Sequence, residues 1–354
     1  MRMDIWKITG KGGFHFGRHG LGQEESHFFL NSDTLFAALV ARLAASGGAE
    51  AAAGWTRPFV EGPPPFVLSS AFPRVQHLRF YPAPKAGLRP AAGAEGEIPV
   101  KNLKKIQFVS EGVFRGLLQG RSLAEWYSGG LLLQDGSLLA SKSEREYIPQ
   151  EILRGESAVW QVEQRPRVTV DRVTNSSQIY HTGRTVFAPD CGLWFGVRWL
   201  QESQALKKQL EDLLADLGDA GVGGERSSGF GAAAFTPGGT ADLPDARNRV
   251  WVTLSRYLPR EDEISALRHP AGTYTLENVG GWTVSPGQAA QRRRAVNLLA
   301  EGSVFGPLER EVPGRVVDTR PVYTDKESVE VEPLGHPVWR CGLALAAGFT
   351  AEGE

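Results

Sequence analysis

The stretch Gly221-Val222-Gly223-Gly224-Glu225-Arg226-Ser227-Ser228-Gly229-Phe230-Gly231 constrains the fold most, because of what lies on either side of it. Residues 204–217 before it place Leu206, Leu210, Leu213, Leu214 and Leu217 at helical spacing. Residues 230–235 after it are too few for a helix and are closed by Thr236-Pro237-Gly238-Gly239, which predicts a short strand. The order is therefore helix, glycine-rich turn, strand. Dinucleotide and P-loop phosphate cradles run strand, turn, helix, so a nucleotide-cofactor site is not expected.

A chain of 354 residues is long enough for two domains, each with a core. Its net charge of -1 argues against coating nucleic acid by bulk electrostatics but leaves room for a local basic groove. With only Cys191 and Cys341 there is neither a disulfide framework nor a cysteine-rich zinc site, which fits a reducing, cytoplasmic setting. Residues 1–10 lack the apolar core of a signal peptide, and no window approaches the roughly 20 apolar residues of a spanning helix, so no membrane insertion is expected.

Along the chain, Asp4 to Ile8 alternates polar and apolar residues as a half-buried first strand does. A glycine- and histidine-rich stretch, 12–22, follows. Residues 31–43 then read as a helix, with Ser32 or Asp33 as N-cap, Leu35, Leu39 and Leu43 on one face, and Ser46-Gly47-Gly48 as its end. Strand-like segments at 66–72 and 78–81 and short helices at 111–120 and 123–127 come next. An extended arm begins at Arg165 and returns through Phe187 and the strand at 193–199. Beyond residue 240 the pattern restarts: a strand at 250–255, a short helix at 261–267, a hairpin over 272–284 turning at 278–281, and a helix after Arg292. Strand, helix and strands in both halves predict an α+β protein of two ferredoxin-like (RRM-like) domains, 1–240 and 241–354. The first carries a thumb-like β-hairpin at about 165–190 and the glycine-rich loop at 221–231.

Several residue groups carry candidate chemistry. In the loop, Gly223, Gly224 and Gly229 allow close backbone approach, while Arg226, Ser227 and Ser228 supply donors for phosphate oxygens and Phe230 follows. Taken alone the loop reads equally as a surface connection that uses glycine for positive φ, but its helix-to-strand placement and its Arg and Ser content favour a cradle for an RNA backbone. His15, His19 and His27, with Lys11 or Arg18 nearby, are the candidates for acid–base work on a phosphodiester, although spacing identifies no partner and no third ligand for a metal at His15 and His19. In the arm, Arg165, Arg167 and Arg172 interleave with Asn175, Gln178, Tyr180, His181 and Arg184. Such cations, amides and aromatics suit phosphates and splayed bases, or a solvated hairpin whose arginines pair with Asp171 and Glu163. Lys101, Lys104 and Lys105 fit an RNA path or a wet face, and Arg292 and Arg293 precede a second small-residue turn at 301–306.

Phe14-His15-Phe16-Gly17, the helix start Asn31-Ser32-Asp33-Thr34-Leu35-Phe36, Val170-Asp171-Arg172-Val173-Thr174-Asn175 and the glycine-rich loop together resemble the RAMP superfamily of CRISPR proteins. More narrowly they resemble the fourth subunit of the type III-A (Csm) interference complex; Lys104 to Val109 and Ala300 to Phe305 also look like segments of that family. The resemblance implies two RRM-like folds, a thumb and no catalytic activity or cofactor. It also implies a role at the foot of the complex, gripping the 5′ repeat-derived handle of the CRISPR RNA and docking a large polymerase-like subunit beside the repeated backbone subunit. Carried over, the handle site takes in His15, Gly17, Arg18, His19, Ser32, Asp33, Thr34 and residues 223–230, and the thumb with Arg167, Asp171, Arg172, Asn175, Gln178 and Tyr180 meets target RNA. For Ser32 and Asp33, plain N-capping competes with RNA contact. An endoribonuclease using His15 or His19 and an α+β enzyme binding a phosphorylated small molecule are the competing readings.

Overall fold

A computed structural model gives the fold and describes residues 1–17, 25–88, 100–171, 173–174, 176–285, 287–323 and 332–349. The first strand, β1 (Arg2–Gly10), leads to helix α1 (Ser32–Glu61), then β2 (Phe66–Leu68), β3 (Phe72–Val75) and β4 (Leu78–Pro82). Next come α2 (Val100–Leu103), β5 (Phe108–Ser110), α3 (Glu111–Leu118), α4 (Leu123–Gly129), β6 (Leu131–Leu133), β7 (Leu138–Ala140) and α5 (Gln150–Leu153). The arm is the pair β8 (Trp160–Val170) and β9 (Ser177–Phe187), followed by β10 (Cys191–Trp199), α6 (Gln204–Ala220) and β11 (Ala233–Asp242).

The main sheet runs β11-β1-β10-β3-β4-β5-β7-β6, with β2 also paired to β10. Within it β1, α1, β3, β10, α6 and β11 form a strand–helix–strand–strand–helix–strand unit whose four strands are antiparallel in the order β11-β1-β10-β3. That is the ferredoxin-like arrangement expected for the first part of the chain. Everything from β4 to β9 is an insertion between its second and third strands, and the glycine-rich loop joins its second helix to its last strand.

Alternation decides which residues enter which core. Ile8 on β1 and Leu193, Phe195 and Val197 on β10 face α1 and α6, which contribute Leu35, Phe36, Leu39, Leu43, Leu210, Leu213, Leu214 and Leu217. Met3, Ile5 and Trp194 face the opposite cluster with Phe72, Phe80, Phe108 and Phe114. A bidentate Arg42–Asp216 pair at 2.8 and 2.9 Å ties α1 to α6.

After residue 242 come β12 (Trp251–Thr253), α7 (Ile264–Leu267), β13 (Leu276–Val279), β14 (Trp282–Thr283), β15 (Gln291–Arg292) and β16 (Val296–Leu299). The chain continues through β17 (Val304–Phe305), β18 (Gly314–Asp318), β19 (Trp339–Leu343) and β20 (Ala346–Gly348). These strands make small sheets, β17-β12-β20, β18-β19, β13-β16 and β14-β15. The α+β class is as expected, but both large clusters draw residues from either side of 240, with Val252 and Leu254 in one and Cys341 and Leu343 in the other.

Several local expectations are corrected. The N-cap of α1 is Asn31, and the helix resumes beyond a kink at Gly48, where φ is 79°. By length and composition α1 could cross a membrane, contrary to the expectation that no segment would; here it packs its Leu35–Leu39–Leu43 face into the core. The strand after the loop runs on to Asp242, because β11 is an edge strand that tolerates Pro237. The arm returns as β9, while β10 belongs to the main sheet. Residues 291–299 form the strands β15 and β16 rather than a helix; β16 pairs with β13 and β15 with β14, so there is no hairpin turn at 278–281. Short apolar runs such as Val296 to Leu299 carry no period that separates helix from strand.

Candidate nucleic-acid interface

The glycine-rich loop is built by backbone closure. Gly221 ends α6 by donating to Leu217 O at 2.8 Å, and Val222, itself buried, donates to Gly231 O at 3.0 Å. Gly231 donates to Gly13 O at 3.0 Å and Gly224 to His15 O at 2.8 Å, which lays the loop on the 11–17 segment. Two glycines are sterically required. At Gly223, with φ 96°, a Cβ would meet His15 O at 2.6 Å; at Gly231, with φ 85°, it would collide with Val222 O.

The crest of the loop faces outward. Glu225 is left-handed at φ 56°, a tight turn covers Arg226–Ser228, and Gly229 is left-handed again. Among the described residues, the amides of Glu225, Arg226 and Ser227 have no acceptor within the chain. Successive free amides in such a turn form an anion-binding concavity.

The base of the arm closes the other side. Phe14 and Thr185 exchange both backbone hydrogen bonds, at 2.8 and 2.7 Å. His15 Nδ1 donates to Gly183 O at 2.7 Å; since a carbonyl only accepts, the proton sits on Nδ1. Phe230, buried in the loop, lies beneath two arginines of the arm, with Arg167 Cζ 5.1 Å and Arg184 Cζ 5.9 Å from its ring centre.

These two guanidinium groups differ in charge balance. Arg184 is paired to Glu163 at 2.7 and 3.0 Å, and that hydrogen bond holds the Glu163 carboxyl below its usual range. Arg167 reaches only Ser228 O, at 3.4 Å, and its buried Nε has no partner. Arg226 is exposed and, among the described residues, forms no ion pair. The interface thus offers free amides, two uncompensated cations and an aromatic platform.

The structure brings together His15, Gly17, Arg167, Gly223, Gly224, Arg226, Ser227, Ser228, Gly229 and Phe230. Tyr180 sits opposite Arg167 and Gln178 opposite Thr169, so both extend the same face up the arm. Asp171 shapes the tip: its Oδ1 accepts from Val173 N at 2.8 Å and Thr174 N at 3.4 Å, and these bonds lower its pKa. Arg18, His19, Arg172 and Asn175 lie outside the described residues. Lys101, Lys104 and Lys105 are exposed at and just after α2.

Ser32, Asp33 and Thr34 stand at the start of α1, where the first two are buried and engaged elsewhere. Ser32 Oγ accepts from Arg256 N at 2.9 Å, and Asp33 Oδ2 meets Arg340 Nη1 at 3.3 Å. Beside them Glu301 accepts from Ser70 Oγ and from Asn31 Nδ2 and lies 3.3 Å from Arg256 Nε. Burial alone would raise the Glu301 carboxyl, but Arg256 with Ser70 and Asn31 outweighs it and holds the group below the carboxylate range. Arg292 ends β15 on the β14-β15 ribbon and Arg293 follows it, spending its guanidinium on Gly280 O. Among the described residues no cluster of His, Cys, Asp and Glu could hold a metal ion.

Sequence reading did not single out Gly13, Thr185 or Gly183 as parts of this interface. Their roles arise from pairing residues 14 and 185, for which the chain carries no local signal.

Comparison with known proteins bears on the whole chain. Residues 246–349 match the family model of the CRISPR Csm4 C-terminal domain. The chain is similar to the CRISPR system Cms protein Csm4 of Methanocaldococcus jannaschii, 23% identical over 384 residues, covering 99% of this chain and 98% of that one. It is also similar to the protein of the same name from Mycobacterium tuberculosis, 32% identical over 156 residues, or 41% of this chain and 48% of the relative. Its fold matches a chain in a crystal structure of a Csm3-Csm4 subcomplex of the type III-A CRISPR-Cas interference complex, with TM-score 0.64, 19% identity and coverage of 99% and 100%. A chain in a crystal structure of a Csm1-Csm4 cassette in complex with pppApA matches with TM-score 0.58, 18% identity and full coverage of both chains, 100% each.

Proposed function

Because this chain belongs to the Csm4 family and is a subunit of a type III CRISPR effector complex, we propose that it holds the 5′ repeat-derived handle of the CRISPR RNA and catalyses no reaction itself. The observation that carries this reading is Arg167, which lies over the Phe230 ring with no carboxylate partner among the described residues, at the rim of the amides of 225–227 that have no acceptor among them. A guanidinium on an aromatic face beside amide donors suits a phosphate and an adjoining base of single-stranded RNA. Amide donors add no net charge, which accounts for RNA binding by a chain at -1.

The arm extends the handle groove toward target RNA, with Arg167, Tyr180, Thr169 and Gln178 on one face and Val168 and Ile179 on the other. Relatives of the same fold are held with Csm3 and with Csm1, which supports a backbone subunit and a large polymerase-like subunit as neighbours of this chain. The two cysteines are buried free thiols, in keeping with a cytoplasmic ribonucleoprotein.

The test is direct. Purified chain is titrated with a handle-bearing RNA and with the same RNA lacking the handle, at two salt concentrations. The expected result is preferential, salt-sensitive binding with the RNA recovered intact. Metal-independent cleavage that His15→Ala abolishes would replace this reading with the endoribonuclease.

A further inference from the structure

Of the nine tryptophans, Trp282 alone is exposed, at 69%. It stands on β14 directly opposite Arg292 on β15, and the next pair, Thr283 and Gln291, faces the other way. Gln291 is buried, donating to Glu332 O at 2.8 Å and accepting from Tyr323 at 3.0 Å, so that side is the packed face of the ribbon. Trp282, Val284 and Arg292 therefore form its open face, with Val284 at 75% exposure. Among the described residues no aromatic ring neighbours Trp282 and no cation covers it.

Among the described residues, the cations beside this ring are not balanced by carboxylates. Arg293 donates to Gly280 O and Arg294 to Asp318 O at 2.6 Å, both neutral acceptors, while Arg292 has no partner among the described residues. The nearby Asp318 carboxylate is spent on Arg320 at 2.6 Å and on the amides of Arg320 and Val338. Among the described residues, three consecutive arginines thus stand without a carboxylate partner, next to the exposed indole.

We propose that the Trp282–Arg292 face is a second RNA contact, separate from the glycine-rich loop, which stacks one base of a single strand on Trp282 and places the adjoining phosphate on Arg292. Every base offers a π-face and every nucleotide a phosphate, so a single strand satisfies ring and charge at once. A protein partner would have to bring carboxylates as well as an apolar surface. The inference goes beyond handle binding and does not require it.

The experiment uses the full chain and a single-stranded oligouridine carrying one 5-iodouridine. Photocross-linked peptides are identified by mass spectrometry and affinity is read by fluorescence anisotropy across salt. Trp282 is expected in the cross-linked peptide, both in the natural chain and in an Arg167→Ala/Arg226→Ala background that disables the loop site. Trp282→Ala is expected to weaken binding roughly fivefold or more, with Trp282→Phe retaining most of it. Arg292→Ala should lower the slope of log affinity on log salt by about 1. No cross-link at Trp282 in either background overturns the proposal. So does unchanged oligouridine affinity in a folded Trp282→Ala chain, including the case where that variant instead fails to co-purify with its partner subunits, which assigns the face to protein.

Discussion

Arg167 holds its guanidinium carbon 5.1 Å from the centre of the Phe230 ring, so the arm and the glycine-rich loop present one surface. The neighbouring Arg184 is neutralised by Glu163, which leaves Arg167 as the arm's cation over that ring available to a ligand.

Arg167→Ala should weaken binding of handle-bearing RNA by about 1.5–3 kcal/mol, roughly tenfold or more, and lower the salt slope by about 1. Arg167→Lys keeps the charge but loses the planar fork and the stacking, and should recover only part of the affinity. Equal affinity for natural and Ala chains in a salt titration would remove Arg167 from the site.

Gly231→Ala places a methyl group against Val222 O at a left-handed position. The loop has to open, at a stability cost of more than about 1 kcal/mol. Gly229→Ala, at φ 84° but with open space around it, should cost about 1 kcal/mol from the backbone alone. Urea unfolding of the two variants separates steric collision from conformational preference.

Glu301→Gln keeps the shape but removes the charge that balances Arg256 in the interior. The expected loss is about 3 kcal/mol, at the lower end for a broken buried pair because Glu277 still meets Arg256 at 2.7 Å. The folded Glu301 carboxyl lies below its unfolded value, so its contribution is present above that value and disappears as pH falls through the folded one. A loss under about 1 kcal/mol in urea titrations at pH 7 would show that the buried Arg256–Glu301 pair contributes little to stability.

Burial pushes the Cys191 thiol up to about 11 and the Cys341 thiol up to about 12 from a starting value of 9.0. Both folded values lie above the unfolded one, so their contribution is complete below pH 9.0 and declines above it, by about 1.4 kcal/mol per pH unit for each thiol. Lys85, lowered by burial to about 8, works in the opposite direction. The thiol effect is therefore the difference between the natural chain and Cys191→Ala/Cys341→Ala, measured at pH 7.5 and pH 10. The double variant should lose less stability across that interval.

Much of the fold was legible because its signals are local. Leu35, Leu39 and Leu43 mark α1, the Leu210–Leu217 run marks α6, and the glycines between α6 and β11 announce a loop whose backbone requires glycine at 223 and 231. Where the signal was short, it failed. Val296 to Leu299 lacks the length to separate a helix from a strand, and its partner β13 lies some twenty residues earlier.

The helix start at 31–34 shows the same limit at the level of function. As a sequence it offers capping and ligand-binding side chains equally, and only the packed chain shows Ser32 bound to Arg256 and Asp33 to Arg340.

The amino-acid sequence by itself determined the order helix, glycine-rich turn, strand, and with it a loop that can approach phosphate without a nucleotide-cofactor fold. Tertiary structure alone decided which charges around that loop are free. Ion pairing depends on partners brought together from distant parts of the chain, as Glu163 is to Arg184, so an arginine's availability is a property of the fold and not of its neighbours in sequence.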